Sequence, residues 1–257
     1  MLHERRLARF PSRRVRHSYS GFSLEVELGD PVGEAWYDRD WLELPEITLL
    51  RQGRLGAGAD VFDLGAHQGV VALILARIVE PDGRVLAVEA DPHSAALALR
   101  NIERNAATNV TLVHAAVASH CGVVAFGLDG SVDVGDARWG SRTVASRTVD
   151  SLADDYGTPD VLFIDVEGFE VEVLRGATRT LQSSPDAFVE VHEPDVLKRF
   201  SASARDVLAF FPRSRYAVFV SEPNESGVFE PLNVSDDLLS RRFFLIALSR
   251  DGLKATG

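Results

Sequence analysis

Cysteine is almost missing from this 257-residue chain. Cys121 stands alone, which excludes an internal disulfide framework and fits a reducing compartment. Lysine is nearly as scarce, present at Lys198 and Lys254, so the positive charge is almost all arginine. No apolar run approaches the ~20 residues of a membrane-spanning helix. Arginines near the N-terminus have no apolar stretch behind them, which argues against a secretory signal. There is no internal repeat and no low-complexity linker. The net charge is −11, so the broad basic surface used for non-specific nucleic-acid binding is also lacking. These absences leave a globular, cytoplasmic protein that is expected to bind neither membrane nor nucleic acid. A homo-oligomer stays open.

What positive charge there is lies unevenly. Arg5, Arg6, Arg9, Arg13, Arg14 and Arg16 face a single early acid, Glu4. A solvated, flexible arm over residues 1–20 is the expectation. The alternative is an arm that clamps an anionic substrate or the acidic body of a partner subunit. Residues 21–58 read as a cap segment. They hold a strand-like alternation over Phe22–Leu28, an aromatic patch at Trp36, Tyr37 and Trp41, and a helix through Leu44–Leu55.

From residue 59 to 250 strand and helix patterns alternate. This predicts an α/β fold with a mostly parallel sheet, helices on both faces and an antiparallel edge strand. Strand Asp60–Leu64 leads to a helix over Val70–Val79 that is apolar on nearly every side, and so deeply buried. Strand Arg84–Glu89 precedes Asp91-Pro92, an acid cap followed by proline at the first helical position. Strand Val110–His114 comes next. Residues 118–149 read as an irregular insertion near the ligand edge, with strands at Val123–Phe126 and Val144–Val149. Then follow strand Val161–Asp165, helix Phe169–Leu181, strand Ala187–His192 and helix Ala202–Phe211. Tyr216–Ser221 and Phe243–Leu248 read as an antiparallel pair at one edge.

In an open parallel sheet, ligands sit outside the carboxyl ends of the strands. Four predicted strands end in polar groups: Asp63 with Gly65–Gly69, Glu89, Asp165 with Glu167, and Glu190 with His192. An acid twenty residues past a glycine turn suits the hydroxyl pair of a ribose. A plain tight turn and a helix-capping Glu89 are the structural alternatives. The turn is not Gly-x-Gly-x-x-Gly, because His67 stands where the second glycine would be, and this weakens a dinucleotide reading. Helix N-terminal electrostatics accounts well for Glu167 and Glu170, and less well for Asp165 at the end of an apolar strand. His192 shares a strand face with Phe188 and Glu190, and its near-neutral pKa makes it a candidate base. Asp165, Glu190 and His192 together are also an oxygen/nitrogen metal set, but no tight ligand spacing supports one, so no metal is assigned. Trp36, Tyr37, Trp41 and Trp139 either wall an acceptor pocket or pack in a core.

The segment Asp63-Leu-Gly-Ala-His-Gln-Gly69 resembles the first motif of class I S-adenosylmethionine-dependent methyltransferases. Thr148-Val-Asp-Ser-Leu152, Pro159-Asp-Val-Leu-Phe-Ile-Asp-Val-Glu-Gly-Phe-Glu170 and Val173-Leu-Arg-Gly-Ala177 resemble the FkbM family within that class. Phe188–His192 is similar to the family's next segment. The resemblance implies a Rossmann-like fold and S-adenosylmethionine as cofactor. It also implies methyl transfer to a hydroxyl of a small molecule or sugar, of the kind met in secondary metabolism. It places the cofactor at Asp63, Gly65, Ala66, His67, Gly69, Glu89, Ala90, Ala116 and Asp165, where the acids suit a cationic ligand. The expected base is His192, then Asp165, and the acceptor is expected near Glu167, Glu190 and Trp139. Phe163 departs from the family, which usually has lysine there. No Asn-Pro-Pro-Tyr-like run that would hold an exocyclic amine is present. A Lys-Asp-Lys-Glu tetrad could be completed only with Lys254. A nicotinamide-dependent reductase and a cofactor-binding protein without turnover are the rival readings.

Overall fold

The computed structural model describes residues 10–127, 130–135, 140–222 and 227–253. Its first elements are an antiparallel pair, β1 (Arg13–Tyr19) and β2 (Phe22–Leu28). The flexible arm expected over 1–20 therefore gives way to a strand at residue 13, and residues 1–9 lie outside the described residues. The basic residues of β1 meet acids that are distant in sequence: Arg13 pairs with Glu34 and Asp38, and Arg16 with Glu25. Such exposed pairs add little. The ladder to β2 and the full burial of Tyr19 do more to hold the strand.

Next come α1 (Pro31–Tyr37) and α2 (Pro45–Leu50). Asp30 caps α1 by accepting from the Gly33 N–H at 2.7 Å. Sequence periodicity extends α2 to Leu55, but the chain leaves the helix after Leu50. The Arg54 N–H instead reaches the buried Asp186 carboxylate at 2.6 Å.

The main sheet is built from β3 (Asp60–Leu64), β4 (Arg84–Glu89), β5 (Val110–His114), β9 (Val161–Ile164), β10 (Asp186–Val191), β11 (Tyr216–Ser221), β12 (Glu230–Pro231) and β13 (Phe243–Ser249). Their spatial order is β12-β11-β13-β10-β9-β3-β4-β5. Strands β10, β9, β3, β4 and β5 are parallel. Helices α3 (Val70–Val79), α4 (Pro92–Arg104), α5 (Val149–Tyr156), α6 (Glu170–Arg175), α7 (Pro194–Lys198), α8 (Ala204–Ala209) and α9 (Asp236–Leu239) complete the chain. The chain winds outward from β3 through β4 to β5, and from β9 to β10 on the other side. The β3–β9 junction is thus the topological switch point, where such sheets open a ligand crevice.

Two large apolar clusters lie on opposite faces of this sheet. One holds Phe62, Leu64, Leu162 and Ile164, and the other holds Val61, Val161 and Phe163, as the two-residue period of strands requires. The second cluster also joins Leu24, Val26 and Leu28 of β2 to α3. This explains why α3 is apolar all round: one side meets the sheet and the N-terminal segment covers another. The result is the expected Rossmann-like α/β architecture.

Four local readings are corrected. The stretch read as an irregular insertion carries a small sheet of β6 (Ala116–Val117), β7 (Gly122–Gly127) and β8 (Ser141–Arg147), in the order β6-β8-β7. Val149 belongs to no strand; it opens α5, where the Thr148 hydroxyl accepts from the Ser151 N–H. The helix expected over Phe169–Leu181 stops at Arg175, and a short 3-10 turn follows at Thr180–Ser183. Here Gly176 lies so close to the Ala118 carbonyl that a Cβ would sit 2.2 Å from its oxygen. Lastly, β13 is not at the edge. It lies between β10 and β11, antiparallel to both, and β12 forms the edge. Phe243, Leu245, Ile246, Ala247 and Leu248 are all buried, and a strand apolar on both faces belongs inside a sheet. Among the described residues no helix is long and apolar enough to cross a membrane.

Candidate active site

A cavity of about 1180 Å³ opens at the carboxyl ends of β3, β4, β9 and β10, under α1 and the residues that follow it. Asp63, Gly65, Ala66, His67, Glu89, Ala90, Ala116, Asp165, Glu167 and Glu190 all line it. Two expected site residues do not. Gly69 is the left-handed N-cap of α3 and packs on Ala98, so its work is in the turn. His192 lies just behind the wall, against Glu167 and Glu190. Trp139 and Lys254 are outside the described residues.

The tips of β3 and β9 are locked together. Gly65 has φ +97°, and a Cβ there would fall 1.8 Å from the Asp165 carbonyl oxygen. Only glycine allows that approach and that backbone conformation. Between β3 and β4, the Glu89 carboxylate accepts the His67 N–H at 2.7 Å on one oxygen and the Asp91 N–H at 2.7 Å on the other. Burial pushes Glu89 up to about 7 against the lowering effect of those N–H groups. Asp63 is 3 % exposed and its Oδ2 has no hydrogen-bond partner. Burial first, then the charges of Asp165 and Glu89, push it up to about 8.

The β9 and β10 tips carry a denser cluster. His192 Nδ1 lies 2.6 Å from Glu170 Oε1, while Nε2 faces Glu167 at 3.3 Å and Glu190 at 3.7 Å. Burial alone would lower the imidazole, but the hydrogen bonds to Glu167 and Glu170 outweigh it and raise it to about 11. These carboxylates favour the protonated imidazolium, which weighs against the expected role of His192 as base. Asp165 is raised to about 6, chiefly by burial and then by the Glu167 charge. Glu190 is raised to about 8 by burial and by Asp165, and it pairs with Arg242.

Several participants were not assigned from sequence. Glu170, read as a helix-terminal acid, is fully buried and holds His192; the two are 22 residues apart. Arg242 comes from the turn before β13, and no local motif marks it. Trp36, Tyr37 and Trp41 do line the cavity, and Tyr37 also belongs to a core cluster, so the two roles weighed for the aromatic patch coexist. Tyr37 Oη lies 2.9 Å from His67 Nδ1, tying the cap segment to the glycine turn. Phe163 stacks on Phe188 with ring centroids 4.2 Å apart, and both line the cavity with Phe244. Phe163, noted in the sequence as a departure from the pattern it resembles, is thus part of an aromatic wall.

Comparison with known proteins gives the following. Residues 63–218 match the family model of the methyltransferase FkbM domain. The hexuronic acid methyltransferase AglP of Haloferax volcanii is 28 % identical over 180 residues, covering 67 % of this chain and 72 % of that protein. A methyltransferase FkbM structure from Methylobacillus flagellatus aligns at 18 % identity and TM-score 0.49, over 74 % of this chain and 43 % of its own. An O-methyltransferase from Bacillus cereus in complex with SAH aligns at 16 % identity and TM-score 0.47, over 79 % and 78 %. The family match alone takes in more than half of the chain, from the glycine turn through the acid-tipped strands β4, β9 and β10 to β11, so the chain belongs to the FkbM methyltransferase family.

Proposed function

We propose that this methyltransferase takes its methyl group from S-adenosylmethionine and transfers it to a hydroxyl oxygen of a small molecule or sugar. The observation that carries the reading is one cavity lined by the buried carboxylates of Asp63, Glu89 and Glu190 and the half-buried Asp165, each pushed above its ordinary range. Such a site favours a cationic ligand. Its volume of about 1180 Å³ exceeds the ~300–1,000 Å³ of a pocket for one drug-sized ligand, which leaves room for cofactor and acceptor together. The name of the Haloferax volcanii relative supports a sugar-type acceptor.

The residues fit the cofactor. Glu89, at the tip of β4, would accept ribose hydroxyls with the lone pairs that the two N–H groups leave free. Asp63, with an unpartnered oxygen, offers a counter-charge beside the glycine turn. The sulfonium supplies a methyl group that is already electrophilic. The chain has then to align the acceptor oxygen behind that methyl and accept its proton. Asp165 is the group this geometry favours as proton acceptor, because it lines the cavity and its carboxyl is raised only to about 6. His192 serves by holding Glu167, Glu170 and Glu190 in place. The reading sets the protein in the cytoplasm, where the exposed Cys121 stays reduced.

The test is incubation with S-adenosylmethionine and a panel of hydroxylated acceptors, including hexuronic acids, read by mass spectrometry. A product heavier by one methylene unit is expected, with turnover reduced ~10²–10⁴-fold in Asp165→Asn. Cofactor binding without any methylated product would favour a binding protein that lacks turnover, the reading that Phe163 in the lysine position supports. Binding of NAD in place of S-adenosylmethionine would favour the reductase.

A further inference from the structure

We infer that the methyl acceptor is a neutral, phenol-class molecule whose ring lies on a wall of Phe163, Phe188 and Phe244, with its hydroxyl at Asp165. The inference rests on the proposed methyl transfer and narrows its acceptor from a small molecule or sugar to the first. On that reading the cofactor takes the tips of β3 and β4, and the acceptor is left the half of the cavity bordered by β9, β10 and β13.

That half is built as ring, then acid, on two adjacent strands. Phe163 and Phe188 are direct partners in the parallel register of β9 and β10, with ring centroids 4.2 Å apart. The Phe244 ring follows at 5.6 Å from Phe188. All three line the cavity, as do Asp165 and Glu190, each two residues further along the chain from Phe163 and Phe188. Two residues of strand advance ~6.6 Å, about the length of a phenol. Aromatic rings meet one another in offset or edge-on contacts that such a wall supplies. The way in is apolar too: Val32, Trp36 and Leu42 line the same cavity and are 55 %, 51 % and 90 % exposed. Exposed apolar groups gathered at a cavity mark a ligand route.

Charge selects against a carboxylated acceptor. Among the described residues that line the cavity from β9, β10, β13 and their ends, Asp165, Glu167 and Glu190 stand against Arg242, which Glu190 already holds. The other lining arginine, Arg39, lies over the Trp36 ring. A sugar brings several hydroxyls, and phenylalanine rings offer them no hydrogen bonds in exchange for water. Base strength points the same way. Asp165, raised to about 6, is poorly matched to an aliphatic hydroxyl, which ionises near ~16 as water does. A phenol ionises near ~10, which narrows the mismatch to about four pH units. The phenolic proton passes to Asp165 as the oxygen forms a bond to the methyl carbon. The carbon–sulfur bond breaks, and its electron pair stays on sulfur as the thioether. Asp165 then releases the proton to water.

The experiment offers the full chain 4-hydroxybenzyl alcohol, which carries one phenolic and one aliphatic hydroxyl, beside 4-hydroxybenzoate, methyl glucoside and glucuronic acid. Saturation-transfer NMR reads binding without turnover. Incubation with S-adenosylmethionine, followed by NMR of the product, reads which oxygen is methylated. 4-Hydroxybenzyl alcohol should bind and gain the methyl on its phenolic oxygen alone, with kcat/KM at least ~10-fold above that of 4-hydroxybenzoate, whose carboxylate meets like charges. Phe163→Leu and Phe244→Leu keep an apolar side chain and lose the ring. Each should raise KM for the phenol about 2–13-fold, with Kd for S-adenosylmethionine unchanged. Phe244 is half-buried, so its variant keeps the test open should Phe163→Leu fail to fold. No binding of 4-hydroxybenzyl alcohol, a methyl on its aliphatic oxygen, or a wild-type KM in folded Phe244→Leu overturns the inference. The two proposals fail separately. Binding with no product from any acceptor overturns the methyl transfer and the acceptor with it, whereas a methylated sugar beside an untouched phenol overturns the acceptor alone.

Discussion

Gly65 lies against the carbonyl of Asp165 at a distance that admits no side chain: a Cβ would stand 1.8 Å from that oxygen. The contact joins the tips of β3 and β9 at the switch point of the sheet. It sets the glycine turn and the acidic cluster in one frame, so the geometry of each half depends on the other.

Gly65→Ala should therefore do more than fill space. The left-handed backbone at φ +97° costs a non-glycine residue about 1–3 kcal/mol before any clash is counted. For a chain of this size that lowers Tm by roughly 2–12 °C. Differential scanning fluorimetry and calorimetric titration should show both the lower Tm and weaker S-adenosylmethionine binding. Unchanged values would mean that the two tips are free to separate.

Glu89→Gln keeps the shape of the side chain and removes its charge. Hydrogen bonds to charged groups contribute about 1.5–3 kcal/mol. The Kd for S-adenosylmethionine should rise about 10–150-fold by isothermal titration calorimetry. An unaltered Kd would remove Glu89 from the ribose site.

Stability should fall as pH rises. Asp63 and Glu89 titrate near 4 when unfolded, but burial pushes them up to about 8 and about 7 in the fold. Between those limits the folded chain holds more protons than the unfolded chain, so stability is greatest at the acid end and is lost through the window from about pH 4 to 8. Tm measured from pH 5 to 8.5 should decline, and bound S-adenosylmethionine should flatten the decline. A Tm that climbs across the window would contradict the assigned burial of these acids.

Tyr37→Phe deletes the hydroxyl that meets His67 at 2.9 Å and leaves the ring on Trp41. One hydrogen bond is worth about 0.5–1.5 kcal/mol, so Tm should fall by roughly 1–6 °C. A variant as stable as the wild type would show that the cap segment is held without this link.

Strands β3, β4 and β5 and helix α3 were legible to the residue, and for β3, β4 and α3 the reason is that apolar runs end there at glycine, proline or an acid. β1 was not. Its arginine-rich sequence reads as a solvated arm, and the acids that meet it, Glu34 and Asp38, are about twenty residues further on. The place of β13 inside the sheet was also hidden, since strand order is a property of the whole chain. In the site, four acid-tipped strands were visible from local pattern, and their convergence followed from the parallel sheet. The charge state of His192 was not visible, because it is set by Glu167 and Glu170, which come from another strand end. Arg242 and the Phe163–Phe188 stack likewise exist only once β9, β10 and β13 lie side by side.

The most direct test of the account is a thermal-shift measurement with S-adenosylmethionine, its demethylated product and NAD. A ligand at 100 times its Kd stabilises by about 2.7 kcal/mol, or roughly 5–11 °C in Tm for a chain this long. S-adenosylmethionine and its demethylated product should each produce that rise, and NAD should not. A rise with NAD and none with S-adenosylmethionine would contradict the account.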